Sequence, residues 1–232
     1  MDKIAARISE KLEEGDVRGA IRLAVSEDIL APHDDKTLAV LRLKHPLRRS
    51  VSIDTSSTPE LQNNSAPPPL VLLECDVIDA IRSFPAGSAG GCDGLRPQHL
   101  KDMTSPLTGD AGKKLVSHLR GFANLCLAGK VPSSIQPVFC GASLCALTKK
   151  DGGIRPIAVG CTLRRLVAKS AAKVVQEKMA AKMAPVQLGF RVKRGTEASA
   201  HAVRRFLQNI VPGQAVLKLD FKNAFNAIST IQ

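Results

Sequence analysis

The sequence predicts a helix-rich α+β fold. Three observations carry this. Apolar residues recur at helical spacing over most of the chain. One apolar run, 138–148, is followed by a glycine turn and a second apolar run, 154–159, which reads as a β-hairpin. A third apolar stretch, 215–221, alternates in the manner of a strand. The apolar share of 44% and charged share of 23% suit a globular chain rather than a disordered one.

The elements follow in order. Ile4, Ile8 and Leu12 share one face of a helix over 3–14. Gly15 breaks it, and Asp16 can cap a second helix with Val17, Ala20, Ile21, Ala24 and Val25 on its apolar side. The two read as a helical hairpin, with a third short helix over 34–44. The segment 46–69 holds five Pro and seven Ser/Thr, the composition of a flexible linker. The chain therefore divides into a helical hairpin region (1–45), a linker (46–69) and a larger domain (70–232).

Within that domain, Val77, Ile78, Ile81 and Phe84 mark a helix in 70–84. A glycine-rich stretch, 85–94, precedes a short helix opened by Pro97. Asp110 is placed to cap a long helix with Leu115, Leu119, Phe122 and Cys126 inside, ended by Gly129 and Pro132. A helix over 162–183 turns Leu163, Leu166, Val167, Ser170, Val174 and Val175 inward and stacks Arg165, Lys169 and Lys173 outward. Thr196 caps a last helix, with Glu197 in its first turn and Val203, Phe206, Leu207 and Ile210 inside.

Charge is unevenly placed. The net charge is +12, yet residues 1–139 carry 17 Lys+Arg against 17 Asp+Glu. Residues 140–232 carry 16 Lys+Arg and 4 Asp+Glu. This asymmetry points to a polyanion partner, or to a solvated basic surface. With no Trp, no Tyr and seven Phe, a single-strand binder built on many stacking platforms is excluded. The six Cys form no Cys-x-x-Cys pair, which excludes a zinc finger. Cys126 and Cys145 lie in apolar runs and are expected in the core. Neither a signal peptide nor a spanning apolar run is present, so the expected location is intracellular, nuclear or cytoplasmic.

Two segments can carry chemistry. In LKLDFKNAF, Asp220 ends an apolar strand among cations, and can anchor a hard cation or cap a helix starting near Asn223. In TKKDGGIRP, two Lys, a Gly-Gly turn and an Arg make a cationic hairpin tip suited to phosphate, or an ordinary solvated hairpin.

Taken in order, four blocks resemble the reverse transcriptase of non-LTR (LINE-type) retrotransposons, an RNA-directed DNA polymerase. SAGGCDGLRPQHLK (88–101) resembles that family's extra N-terminal block. LTKKDGGIRPIAVGCTLRRLVAK (147–169) resembles the fingers hairpin and the helix after it. QLGFRVKRGTEASAHAVRRFL (187–207) resembles the block before the first palm motif, and VLKLDFKNAFNAI (216–228) resembles that motif itself. The helical hairpin at 3–28 looks like the segment that often precedes the polymerase domain. Cys92 stands where the family usually has Pro.

The resemblance implies fingers and the first strand of a palm, with the palm incomplete and no thumb. It implies that Asp220 holds catalytic Mg²⁺ and that Phe221 lends its backbone carbonyl to the second ion. Phe225 would be the gate against a ribose 2′-OH, and Lys149, Lys150 and Arg155 would hold the dNTP triphosphate. Arg165, Lys169, Lys173, Arg191, Lys193 and Arg194 are candidates for contact with RNA template and DNA primer. The parent reaction is dNTP addition to a primer 3′-OH by two-metal phosphoryl transfer.

The family's second acidic motif, an aromatic residue followed by Ala-Asp-Asp, is not found after Asp220. The chain is therefore expected to be an N-terminal fragment, inactive alone, that does not hold Mg²⁺ tightly. The alternative is a non-catalytic basic nucleic-acid-binding protein. A third class is an interaction module built on the helical hairpin at 3–28. With its neighbours missing, strand 215–221 is expected to leave residues 140–232 marginally stable.

Overall fold

A computed structural model describes residues 3–25, 29–45, 68–149 and 151–220. Helix α1 (Lys3–Glu13) and helix α2 (Val17–Val25) form the expected hairpin. Gly15 makes the turn at φ +74°, a left-handed conformation that costs glycine little. Asp16 caps α2: its Oδ1 accepts from the Gly19 amide at 2.9 Å. The apolar side expected of α2 is mostly solvent-facing, since Ala20 is buried while Val17, Ile21 and Val25 are exposed.

Strand β1 (Ile29–Leu30) follows, then helix α3 (Asp35–Lys44), capped by Asp34 Oδ1 accepting from the Thr37 amide at 2.7 Å. The expected linker falls largely on residues 46–67, outside the described residues.

The core is built around helix α4 (Glu74–Arg82). Its Val77, Ala80 and Ile81, with Phe84 just beyond it, pack against Leu100, Leu119 and Leu166. Leu100 comes from helix α5 (Pro97–Met103), whose Pro97 lies at a position where a missing amide proton costs nothing. Leu119 comes from helix α6 (Gly109–Leu127) and Leu166 from helix α8 (Thr162–Met183). Burying each of these larger side chains stabilises by about 1.5–3 kcal/mol. A second cluster, Leu72, Ala123 and Val167, extends the same seam with Phe122, Cys126 and Val174 packed on it.

Leu72 is fixed by an amide clamp. Its N–H donates to Asn124 Oδ1 at 2.8 Å, and its carbonyl accepts from Asn124 Nδ2 at 3.2 Å. One side chain on α6 thus satisfies both backbone groups of a residue with no exposed surface.

Asp110 does not cap α6. A 3₁₀ turn at Pro106–Thr108 feeds straight into the helix, so Thr108 takes the cap position and Asp110 falls in the first turn. After the short helix α7 (Gln136–Cys140), strand β2 (Ala142–Thr148) pairs antiparallel with strand β3 (Ile154–Gly160). The pairing runs from Ala142 opposite Gly160 to Thr148 opposite Ile154. The third strand of the sheet is not the expected 215–221 but β1, which was not foreseen. β1 joins the other edge of β2, placing Ile29 opposite Thr148 and Leu30 opposite Leu147. The sheet order is β1-β2-β3. Cys145 was expected in the core but is exposed, because β2 is solvent-facing from Ala142 to Cys145.

Helix α8 spans the residues its apolar stripe marks, but Val175, expected to turn inward, is exposed. Helix α9 (Gly195–Gln208) begins one residue before Thr196, with Arg194 at the cap. Its Val203, Phe206 and Leu207, and Ile210 beyond it, are exposed rather than inside. Residues 215–220 form no strand, and Val216, Leu217 and Leu219 are exposed. A strand needs a partner ladder, and none of the described residues pairs with this stretch.

Replacing Asn124 with Ala leaves the Leu72 backbone pair buried without partners. We expect a loss of about 1–3 kcal/mol, read as a lower urea midpoint with an unchanged slope.

Candidate nucleic-acid interface

The cationic hairpin tip forms as the turn chemistry requires. The Lys149 amide donates to the Gly153 carbonyl at 2.7 Å, and the Gly152 amide to the Lys149 carbonyl at 3.0 Å. Gly152 sits at φ +74°, and the Asp151 carboxylate accepts from the Gly153 amide at 3.0 Å. Lys149 is half-buried at the end of β2, and Arg155 lies exposed on β3 opposite Leu147. Lys44, at the end of α3, donates to the Ile154 carbonyl and so braces the tip from the N-terminal region. Lys150 lies outside the described residues.

Segments 88–101 and 147–169 meet at the start of α8. A side chain on Gly91 would put its Cβ 2.7 Å from Cys161 Cα and 3.0 Å from Cys161 N. Both are backbone atoms that cannot give way, so only glycine fits. Thr162, fully buried, donates its hydroxyl to the Leu95 carbonyl. Arg165 donates to the Ala89 carbonyl. The Cys161 thiol faces Asp93 Oδ2 at 3.8 Å. Two sequence segments that sit about seventy residues apart are thus welded through the loop backbone.

The basic stripe on α8 is not the open cationic surface its spacing suggests. Lys169 Nζ stands 5.0 Å from the Phe84 ring centroid, and the Arg165 guanidinium carbon 5.9 Å from it. Both distances fit cation–π contact. Lys173 forms an ion pair with Asp79 of α4 at 2.8 Å. The three cations therefore hold α4 and its flanking loop to α8. Helical spacing placed them on one face correctly, but an acidic partner arrives there from α4 and an aromatic one from the loop after it.

Arg191 pairs with Glu177 of α8 at 2.8 Å and is left-handed at φ 59°. Lys193 and Arg194 are exposed between α8 and α9, Arg194 also left-handed at φ 58°. Asp220 is exposed, beyond α9 and outside any element. Phe221 and Phe225 lie outside the described residues, as does the stretch where Asp220 could have capped a helix.

Among the described residues, no group of three His, Cys, Asp or Glu side chains could hold a metal ion. A two-metal centre sets its ions about 3.5–4 Å apart, and Asp220 alone does not supply the carboxylates for it. The described residues therefore do not fit a Mg²⁺ pair. No described helix is long and apolar enough to cross a membrane.

Sequence reasoning missed a second cleft. It lies between the α1–α2 turn and the loop 85–88, with a volume of about 770 Å³. Lys11, Arg18 and Arg22 line it, and Lys11 pairs with Asp16 at 2.9 Å. Arg96 reaches across to Glu10 at 3.4 Å and Glu14 at 2.9 Å. The Lys11 ammonium, and then the Gly19 amide, hold the Asp16 carboxyl below its ordinary value. The clustering of Lys11, Asp16, Arg18 and Arg22 in one turn of hairpin was the available signal.

No family model, curated protein or solved structure matches this chain.

The Lys173 hydrogen bond, and then its charge, hold the Asp79 carboxyl below the ordinary 3.8. A depressed carboxyl contributes stability that is fully present above its unfolded value and is lost as pH falls through the folded one. A carboxyl-carbon NMR titration should place the Asp79 midpoint below 3.8. The Lys173→Met variant should move it back up toward that ordinary value; no movement would disprove the pair.

Proposed function

We propose that the chain is the fingers-like portion of a retrotransposon-type reverse transcriptase, and that on its own it binds RNA without polymerising. The observation that carries this is the ordered run of four blocks, of which the first two, 88–101 and 147–169, pack on each other at Gly91 and Cys161. Blocks that merely share composition with a family have no reason to dock through backbone contact. Arg155 of the hairpin and Lys193 and Arg194 of the α8–α9 connection are exposed, with Lys149 half-buried beside the turn, and supply the phosphate-facing charge. Lys149 and Arg155 offer a point charge and a planar fork to a triphosphate or template phosphate. Lys193 and Arg194 extend that charge toward α9.

In the intact reaction Mg²⁺ would supply charge neutralisation to phosphoryl transfer. Asp220 would be one of its ligands. The chain's own residues described above position phosphates; they do not complete that centre. The alternative, a basic nucleic-acid binder with no enzymatic descent, rests on the same cations and lacks an account of the block order.

Two measurements test the proposal. Filter binding of single-stranded RNA should fall steeply with salt, because each phosphate contact releases counterion. The Lys193→Gln/Arg194→Gln double variant should flatten the log–log slope by about 1.4, or ~0.7 for each lost contact. Asp79→Asn should steepen it if Lys173, once released, reaches phosphate. Binding that ignores salt would rule out the interface.

Primer extension on an RNA template with Mg²⁺ and dNTPs should yield no product with these 232 residues. Product formation would show that the metal centre is more complete than Asp220 alone.

A further inference from the structure

The end of α6 and the short helix α7 meet through a ring pair. Phe122 and Phe139 stand 5.8 Å apart between centroids, edge to face at 84°. Cys126 follows Phe122 by four residues, so it lies on the same helical face one turn on. Cys140 directly follows Phe139 and ends α7. Gly129, at φ +72°, and Pro132 turn the chain back between them. The ring contact therefore carries the two thiols to the same junction.

The two thiols differ in setting. Cys126 is half-buried against the Leu72, Ala123 and Val167 cluster, whereas Cys140 is exposed, and both are free. Burial raises the Cys126 thiol above its ordinary value, and the neighbouring Cys140 raises it further. That arrangement separates a reactive, solvent-facing thiol from a shielded one.

We propose that Cys126 and Cys140 form an oxidation site, which closes to a disulfide under a peroxide-class oxidant. The Cys140 thiolate attacks the peroxide oxygen. The O–O bond breaks, Cys140 becomes a sulfenic acid, and the peroxide leaves as water after taking up protons. The Cys126 sulfur then attacks the Cys140 sulfur; the S–O bond breaks and the hydroxyl departs as a second water with the Cys126 proton. Two thiols and one hydrogen peroxide give one disulfide and two waters. The bond ties α7, and with it the entry to β2 through Gly141, to the end of α6. The position of the cationic hairpin then depends on redox state. This inference does not rest on the polymerase reading.

The test uses the full chain under graded hydrogen peroxide. Remaining thiols are alkylated, and peptides are mapped by mass spectrometry without reduction. The expected result is a Cys126–Cys140 crosslink formed ahead of any other pair. Trypsin nicking at exposed Lys130 should leave the two pieces joined on a non-reducing gel and separate them after reduction. The exposed-site variant Cys140→Ser should lose the crosslink. In Cys126→Ser, dimedone should trap the sulfenic acid at Cys140. A dominant pair elsewhere, such as Cys92 with Cys161, would overturn the proposal. So would crosslinks only between chains, or pairing no different from that of the urea-unfolded protein.

Discussion

The apolar core beyond the N-terminal hairpin hangs on the packing of α4 against α8. Ile81 and Leu166, each almost wholly buried, form the apolar centre of that contact. Around it, Phe84 receives Lys169 and Arg165 on its ring, and Asp79 receives Lys173. Apolar burial supplies most of the energy, because the ion pair is largely exposed and such pairs contribute little. The polar ring around the centre fixes which turn of α8 faces which turn of α4. Once that register is set, Thr162 and Arg165 are in place to grip the glycine-rich loop. The hairpin β2-β3 then enters α8 from a fixed direction.

This arrangement revises how the charge of the chain is spent. The C-terminal segment holds nearly all the excess cations, yet Arg165, Lys169, Lys173 and Arg191 are engaged with groups of the protein itself. The surface offered to a polyanion is therefore narrower than the composition suggests. It includes Lys193 and Arg194 of the α8–α9 connection, which are exposed, and leaves out the α8 face turned to α4.

Legibility in the sequence followed the range of the interactions involved. Helix α8 was readable end to end because its apolar stripe is continuous and its neighbours in sequence decide its shape. The β2-β3 hairpin was readable because Gly152 and Gly153 announce the turn. The cap Asp16 is local and was read from the sequence, but the start of α6 was misplaced because a preceding 3₁₀ turn took the cap position. Strand β1 was invisible: two residues have no period, and their partners lie at 147 and 148. The α8 cations were found on the right face, but their partners lie far off in sequence, Asp79 in α4 and Phe84 in the loop after it. The exposed apolar face of α9 failed for the converse reason, since amphipathic spacing says a helix has an inside without supplying what covers it.

The ladder that joins Ile29 to Thr148 also dictates when the sheet can close. The α1–α2 hairpin needs only local contacts and can form as soon as its residues leave the ribosome. β1 must wait until β2 has been synthesised, more than a hundred residues later, and loop closure over that span is slow. During this interval Ile29 and Leu30 travel as an unpaired edge tethered to an already folded hairpin. The N-terminal region thus completes its fold only once residue 148 has been made, although it is itself made first.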